Sequence, residues 1–160
     1  LEKFKNLKLI FSMGAGVDHI LNDETIPKNI PISRIVDPQM AFSMTNYILM
    51  AVLNYQRCWY DFQDAQRKGH WAQFEFDEKI LSIGILGIGH LGMDAADAFH
   101  RLGFKVSGYS NSPKKTIFPS FHGNQFEDFL ADINVLVCTV PLTPKTKGLL
   151  NFELFFHNLF

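Results

Sequence analysis

Cysteine is scarce in this chain: Cys58 and Cys138 are the only two in 160 residues, and they lie far apart inside apolar segments. That density excludes a disulfide-stapled secreted scaffold, and two buried, reduced thiols are expected. An excess of charge of either sign is missing as well. A net charge of −1 and a pI near 6.6 leave no basic footprint for nucleic acid or an anionic membrane. No apolar run approaches the ~18 residues of a spanning helix. The best candidate, residues 133–142, is strand-sized, and the first residues show no basic-then-apolar leader. No His or Cys pair has zinc-ligand spacing; His19, His70, His90, His100, His122 and His157 are scattered. The expectation is a cytoplasmic protein with no nucleic-acid, membrane or metal partner.

What is present is an apolar chain, 47% hydrophobic, long enough for one domain and a fraction of another. It starts at Leu1 inside structured-looking sequence and ends on "FELFFHNLF" with no closing cap, so a piece of a longer chain is expected. "LKLIFSMG" (7–14) reads as a short buried strand, and "IPKNIPISRIV" as turn prolines followed by a second. Asp37 and Pro38 form a helix start. Apolar residues then recur at helical spacing from Met40 to Phe62, with no breaker before Gly69. This predicts one helix over 38–69, about 45 Å long, bridging domains or supplying an interface. From residue 79 the pattern becomes strand, helix, strand, helix, strand: "KILSIGILG", "HLGMDAADAFHRLG" capped by Gly103, "FKVSGYS", "NQFEDFLAD" and "INVLVCTV". That order describes the first half of a doubly wound (Rossmann) parallel sheet. Its first strand is expected at the open edge.

Gly87, Gly89 and Gly92 form G-x-G-x-x-G directly after a strand and opening a helix, the setting in which the pattern has meaning. Gly87 permits the tight turn, Gly89 lets a pyrophosphate lie against the backbone, and Gly92 lets helix and strand approach. The helix beginning near His90 aims free N–H groups and its positive dipole end at the phosphates. An NAD-preferring site carries Asp or Glu after the second strand. Here "YSNSPKK" has none: Ser110, Asn111 and Ser112 offer hydrogen-bond donors, and Lys114 and Lys115 add positive charge. NADP(H) is therefore favoured, with NAD(H) as the alternative. A short-chain dehydrogenase needs Tyr-x-x-x-Lys, which is missing, and so is the Walker Gly-Lys-Ser/Thr. A methyltransferase would carry an acid just before the first glycine, where this chain has Ile and Leu.

"FSMGAGVDHIL", "IVDPQMAFSMTNYILMAVL", the glycine segment and "VCTVPLTPKTKGLLN" together resemble the D-isomer-specific 2-hydroxyacid dehydrogenases, over essentially the whole chain. Within them the similarity is greatest to the glyoxylate/hydroxypyruvate reductase A type. The resemblance implies that residues 1–37 are a remnant of a flavodoxin-like substrate domain. Residues 38–69 become the interdomain helix, shared in a homodimer interface, and 70–160 the N-terminal half of the nucleotide-binding domain. It implies that the loop amides around Ala15, Gly16 and Val17 hold a substrate carboxylate, and that Met44 lies near the nicotinamide. His90 and Leu91 would join the glycines at the pyrophosphate, and Val140, Pro141 and Thr143 would follow the ribose. Ser110 and Asn111 stand where relatives carry Ser-Arg, which weakens the electrostatic case for a 2′-phosphate. The implied reaction is hydride transfer from NAD(P)H to a small 2-oxoacid such as glyoxylate or hydroxypyruvate, giving the D-2-hydroxyacid. The family's Arg, acid and His, which do the chemistry, belong later than Phe160, so no catalytic residue is assigned and the chain alone is expected to be inactive. The alternatives are a non-catalytic cofactor-binding or dimerising module and a gene remnant without function.

Overall fold

The structure, a computed structural model, describes residues 4, 6–14, 16–74, 81–152 and 154. They fall into two compact units: Leu1–Pro38 with Pro141–Asn151, and Gln39–Val140 with Phe152–Phe160.

In the first unit β1 (Ile10–Ser12) and β2 (Ile32–Arg34) pair in parallel, Ile10 opposite Ile32. The short helix α1 (Asp18–Leu21) lies between them in sequence. The buried strand expected here is only three residues long, and Ser12 alone in it is buried. Phe11 is 57% exposed. A two-stranded sheet with one short helix has too little surface to cover both faces of a strand.

In place of the single helix expected over 38–69 there are two: α2 (Pro38–Gln56) and α3 (Trp59–Arg67). The break falls at Cys58, whose backbone is left-handed at φ 50° and ψ 37°. A helix cannot continue through that conformation, and Cys58 has neither glycine's freedom nor proline's sequence signal. Ala41, Thr45 and Val52 are the buried residues of α2, while Phe42, Tyr47, Met50 and Tyr55 are at least half exposed.

The second unit is built on four parallel strands: β3 (Ser82–Leu86), β4 (Lys105–Ser110), β5 (Ser120–His122) and β6 (Val135–Cys138), in the order β5-β4-β3-β6. Helix α4 (His90–Arg101) connects β3 to β4, and α5 (Phe126–Leu130) precedes β6. Alternation of side chains along a strand gives β3 two covered faces. Ile83 and Ile85 pack with Ala96 and Phe99 of α4 and with Val52 of α2. On the opposite face a β-carbon at Gly84 would meet Ile133 and Phe129, so glycine there is room for those side chains. Beyond α4, Gly103 is left-handed (φ 86°); its N–H bonds to His100 and that of Phe104 to Phe99. This double closure places the Phe99 and Phe104 rings edge to face, 5.4 Å apart, so the turn that ends the helix also packs the core.

Two expectations change. Strand β3 is not at an edge: β6 crosses to its far side, so the described strands go one beyond a half-sheet. And β5, missing from the sequence reading, adds a fourth strand beside β4. The outer edge of β6 has no partner strand among the described residues, and there Cys138 is exposed rather than buried. Cys58 is half-buried, and both thiols are free. Among the described residues no helix is long and apolar enough to cross a membrane, and no group of three metal-ligating side chains occurs.

Candidate functional site

In a parallel sheet the connection reverses direction where two adjacent strands send their chains to opposite sides, which opens a crevice at their C-terminal ends. Here the order runs outward from β3 through β4 to β5 and then returns to the other side of β3 at β6, so the reversal lies between β3 and β6. Gly87 immediately follows β3, and Thr139 and Val140 immediately follow β6. The glycine segment therefore lies at the reversal.

The three glycines differ in what the protein asks of them. Gly87 has φ +100°, a left-handed turn, and a β-carbon on it would stand 2.8 Å from Val140 Cγ1. Its N–H donates to the Tyr109 carbonyl at 2.9 Å, joining the turn to the end of β4. A β-carbon on Gly92 would run into the Gly87 carbonyl oxygen and lie 2.8 Å from Thr139 Oγ1, so α4 can approach the strand ends only without one. Gly89 is different. Its backbone is extended, open to any residue, and nothing of the protein lies within 4 Å of the β-carbon position. Neither conformation nor packing within the protein calls for glycine there.

Gly89 is also the N-cap of α4, and no side chain caps that helix. The first N–H groups of a helix have no partner within it, so this end presents donors and a partial positive charge. His90, exposed, and Leu91, half-buried, form the first turn with Gly92. The arrangement suits an anion.

After β4, Ser110 Oγ donates to the Ser112 carbonyl at 2.7 Å, folding Ser110–Ser112 on itself. Ser120 Oγ donates to the Lys114 carbonyl. Asn111, Ser112, Lys114 and Lys115 are exposed, and among the described residues the segment 109–115 brings no carboxylate. Met44, on α2, is 40% exposed. Its neighbour Thr45 donates to Asp94 of α4 at 2.6 Å, which ties α2 to the helix that follows the glycine turn.

The remaining expected residues belong to the first unit. Gly16 is exposed, Val17 is the N-cap of α1, and its carbonyl accepts from Ile20 and Leu21. Ala15 lies outside the described residues. Pro141 and Thr143 belong to a tight loop: Thr146 Oγ1 donates to the Pro141 carbonyl at 2.6 Å, and Thr143 N–H donates to Thr146 Oγ1 at 2.8 Å. One residue was missed. Thr139 holds the glycine turn through its hydroxyl, and the signal for it is a single hydroxyl closing an otherwise apolar strand.

A parallel sheet with a glycine turn and an uncapped helix start at its reversal point defines a dinucleotide-binding domain. The family model for the D-isomer specific 2-hydroxyacid dehydrogenase NAD binding domain matches residues 49–157. This chain belongs to the D-isomer specific 2-hydroxyacid dehydrogenase family. It is 39% identical over 157 residues to a glyoxylate/hydroxypyruvate reductase A of Photorhabdus laumondii, covering 93% of this chain and 50% of that protein. A D-isomer specific 2-hydroxyacid dehydrogenase of Xanthobacter autotrophicus, solved with NADPH and MES, superposes with a TM-score of 0.89 at 38% identity, covering 98% of this chain and 50% of that one. An NADPH-dependent glyoxylate/hydroxypyruvate reductase of Sinorhizobium meliloti, solved with NADP and sulfate, gives 0.87 at 34% identity, covering 92% and 47%. The chain spans about half the length of the curated relatives it matches.

Proposed function

We propose that these residues are the cofactor-binding half of a cytoplasmic, NADP(H)-dependent reductase. Its substrate is a small 2-oxoacid such as glyoxylate or hydroxypyruvate, its product the D-2-hydroxyacid. The observation that carries the reading is Gly89: a glycine with no conformational or packing need, facing open space beside an uncapped helix start at the reversal of the sheet. A pyrophosphate in that space fits, because it needs bare backbone and unpaired N–H groups. NADP and NADPH in the Sinorhizobium and Xanthobacter relatives support the choice of cofactor.

In this reading the amides from Gly89 through Gly92, with His90 and Leu91, bind the pyrophosphate. Ser110, Asn111 and Ser112 bind the adenosine ribose, with Lys114 and Lys115 supplying charge for a 2′-phosphate. Val140, Pro141 and Thr143 line the ribose nearer the nicotinamide, and Met44 flanks that ring. The amides of Ala15, Gly16 and Val17 take the substrate carboxylate. The bound cofactor supplies the hydride. The family's Arg, acid and His are not assigned to any position here, so the chain by itself binds cofactor without turning substrate over. Loss of a positioned proton donor alone removes about 10²–10⁴-fold in rate. The exposed apolar side of α2 is the proposed homodimer surface.

Calorimetry with NADPH and NADH tests the cofactor, and tighter binding of NADH would overturn the preference. Turnover of glyoxylate by the purified chain with NADPH, above a cofactor-only blank, would overturn the claim of inactivity. No binding of either nucleotide would favour the rival reading of a dimerising module or gene remnant.

A further inference from the structure

We infer that Thr139 is a positioning residue of the cofactor turn, acting through its hydroxyl on the Gly87 carbonyl; this rests on the reading of that turn as a pyrophosphate site. Thr139 N–H donates to the Leu86 carbonyl at 2.9 Å, which carries the β3–β6 ladder one residue past the end of β6. Its Oγ1 then reaches the next carbonyl along, that of Gly87, at 2.6 Å. The same Oγ1 stands 2.8 Å from the β-carbon position of Gly92. One hydroxyl therefore meets the first glycine's carbonyl beside the space that a β-carbon on the third glycine would fill.

That contact matters to an anion site for two reasons. A carbonyl oxygen facing a pyrophosphate repels it, and hydrogen bonding to Thr139 commits the Gly87 oxygen elsewhere. The peptide plane that carries the Gly87 carbonyl also leads the chain out of its left-handed turn, and fixing that plane fixes the direction of the N–H groups that follow. An anion held by several backbone N–H groups depends on all of them pointing at once. Thr139 does not need to touch the cofactor to do this.

The test compares Thr139→Val, which keeps the shape and loses the hydroxyl, with Thr139→Ser, which keeps the hydroxyl and loses the methyl. NADPH dissociation constants by fluorescence and amide hydrogen exchange through residues 87–93 are measured on both and on the unchanged chain. Thr139→Val should weaken NADPH about tenfold and speed exchange of the turn amides, while Thr139→Ser stays within about threefold on both. Equal binding and exchange in the unchanged chain and Thr139→Val overturns the inference, as does a Thr139→Ser that behaves like Thr139→Val. If the unchanged chain binds no NADPH, the cofactor reading fails. Exchange of the turn amides then decides the inference alone: faster in Thr139→Val only upholds it, and no difference overturns it.

Discussion

The carbonyl oxygen of Gly87 occupies the place where a β-carbon on Gly92 would go. Gly92→Ala must therefore push α4 off the strand ends or distort the turn. Overpacking of this kind costs about 1–3 kcal/mol. Gly89→Ala meets no protein atom and should leave stability within about 0.5 kcal/mol. Its effect should fall on NADPH, with the dissociation constant raised tenfold or more, about 1.4 kcal/mol. Urea denaturation and titration of both variants separate a fold glycine from a ligand glycine. A Gly89→Ala chain that binds normally would remove the main support for the site.

Lys114→Ala and Lys115→Ala should weaken NADPH a few-fold and leave NADH unchanged, since only NADPH carries the 2′-phosphate. The NADPH effect should shrink at 1 M salt, where the Debye length falls to about 3 Å. Asn111→Arg should strengthen NADPH by offering a planar fork to the phosphate. Calorimetry at two ionic strengths reads all three.

Thr45 is 5% exposed, and its hydroxyl donates to Asp94 at 2.6 Å. Asp94→Ala strands a buried donor, at about 1–3 kcal/mol. Thr45→Val removes that donor and leaves Asp94, on the exposed side, to water. It should cost less, about 0.5–1.5 kcal/mol. The reverse order in urea midpoints would mean that the pair does not hold α2 to α4 as described.

Phe42, Met50 and Leu53 of α2 share one side at spacings of eight and three residues, and all three are exposed. Phe42→Asp with Met50→Asp should convert a dimer to a monomer by light scattering. A monomer in the unchanged chain would count against the proposed surface.

Asp23 accepts from the Thr25 hydroxyl at 2.6 Å and from the Thr25 N–H at 2.9 Å. The hydroxyl first and the N–H second hold its carboxyl below the usual carboxylate value. A lowered folded value means that the bond stabilises the turn above the ordinary carboxylate pKa. That stabilisation is lost as pH falls through the folded value. Thr25→Val should raise the Asp23 titration midpoint, followed by NMR of the carboxyl carbon.

Much of the second unit was legible from local chemistry. The apolar runs of β3 and β6, the Gly103 stop and the glycine triad each report a need met within a few residues. What stayed hidden depends on distant partners. The three residues of β5 have no periodicity of their own; they are a strand because β4 offers a free edge. The position of β6 beyond β3 is a matter of crossover direction, which no local pattern carries. The helix break at Cys58 lacks Gly or Pro. Thr139 shows in sequence only as a hydroxyl closing an apolar strand, and the β3–β6 pairing is what brings it to Gly87.

The bond from Gly87 N–H to the Tyr109 carbonyl makes the sheet a ruler. It joins the start of the glycine turn to the residue just before Ser110, so the spacing between that turn and the loop after β4 is set by the pairing of Leu86 with Tyr109. Rewriting the loop beyond Tyr109, in sequence or in length, leaves that spacing untouched. Altering the spacing itself would mean slipping β4 by a residue and turning its buried side chains outward. In such a scaffold the loop after β4 can change without disturbing the glycine turn, and on the proposed reading the choice between two nucleotides can change while the grip on their common phosphates stays.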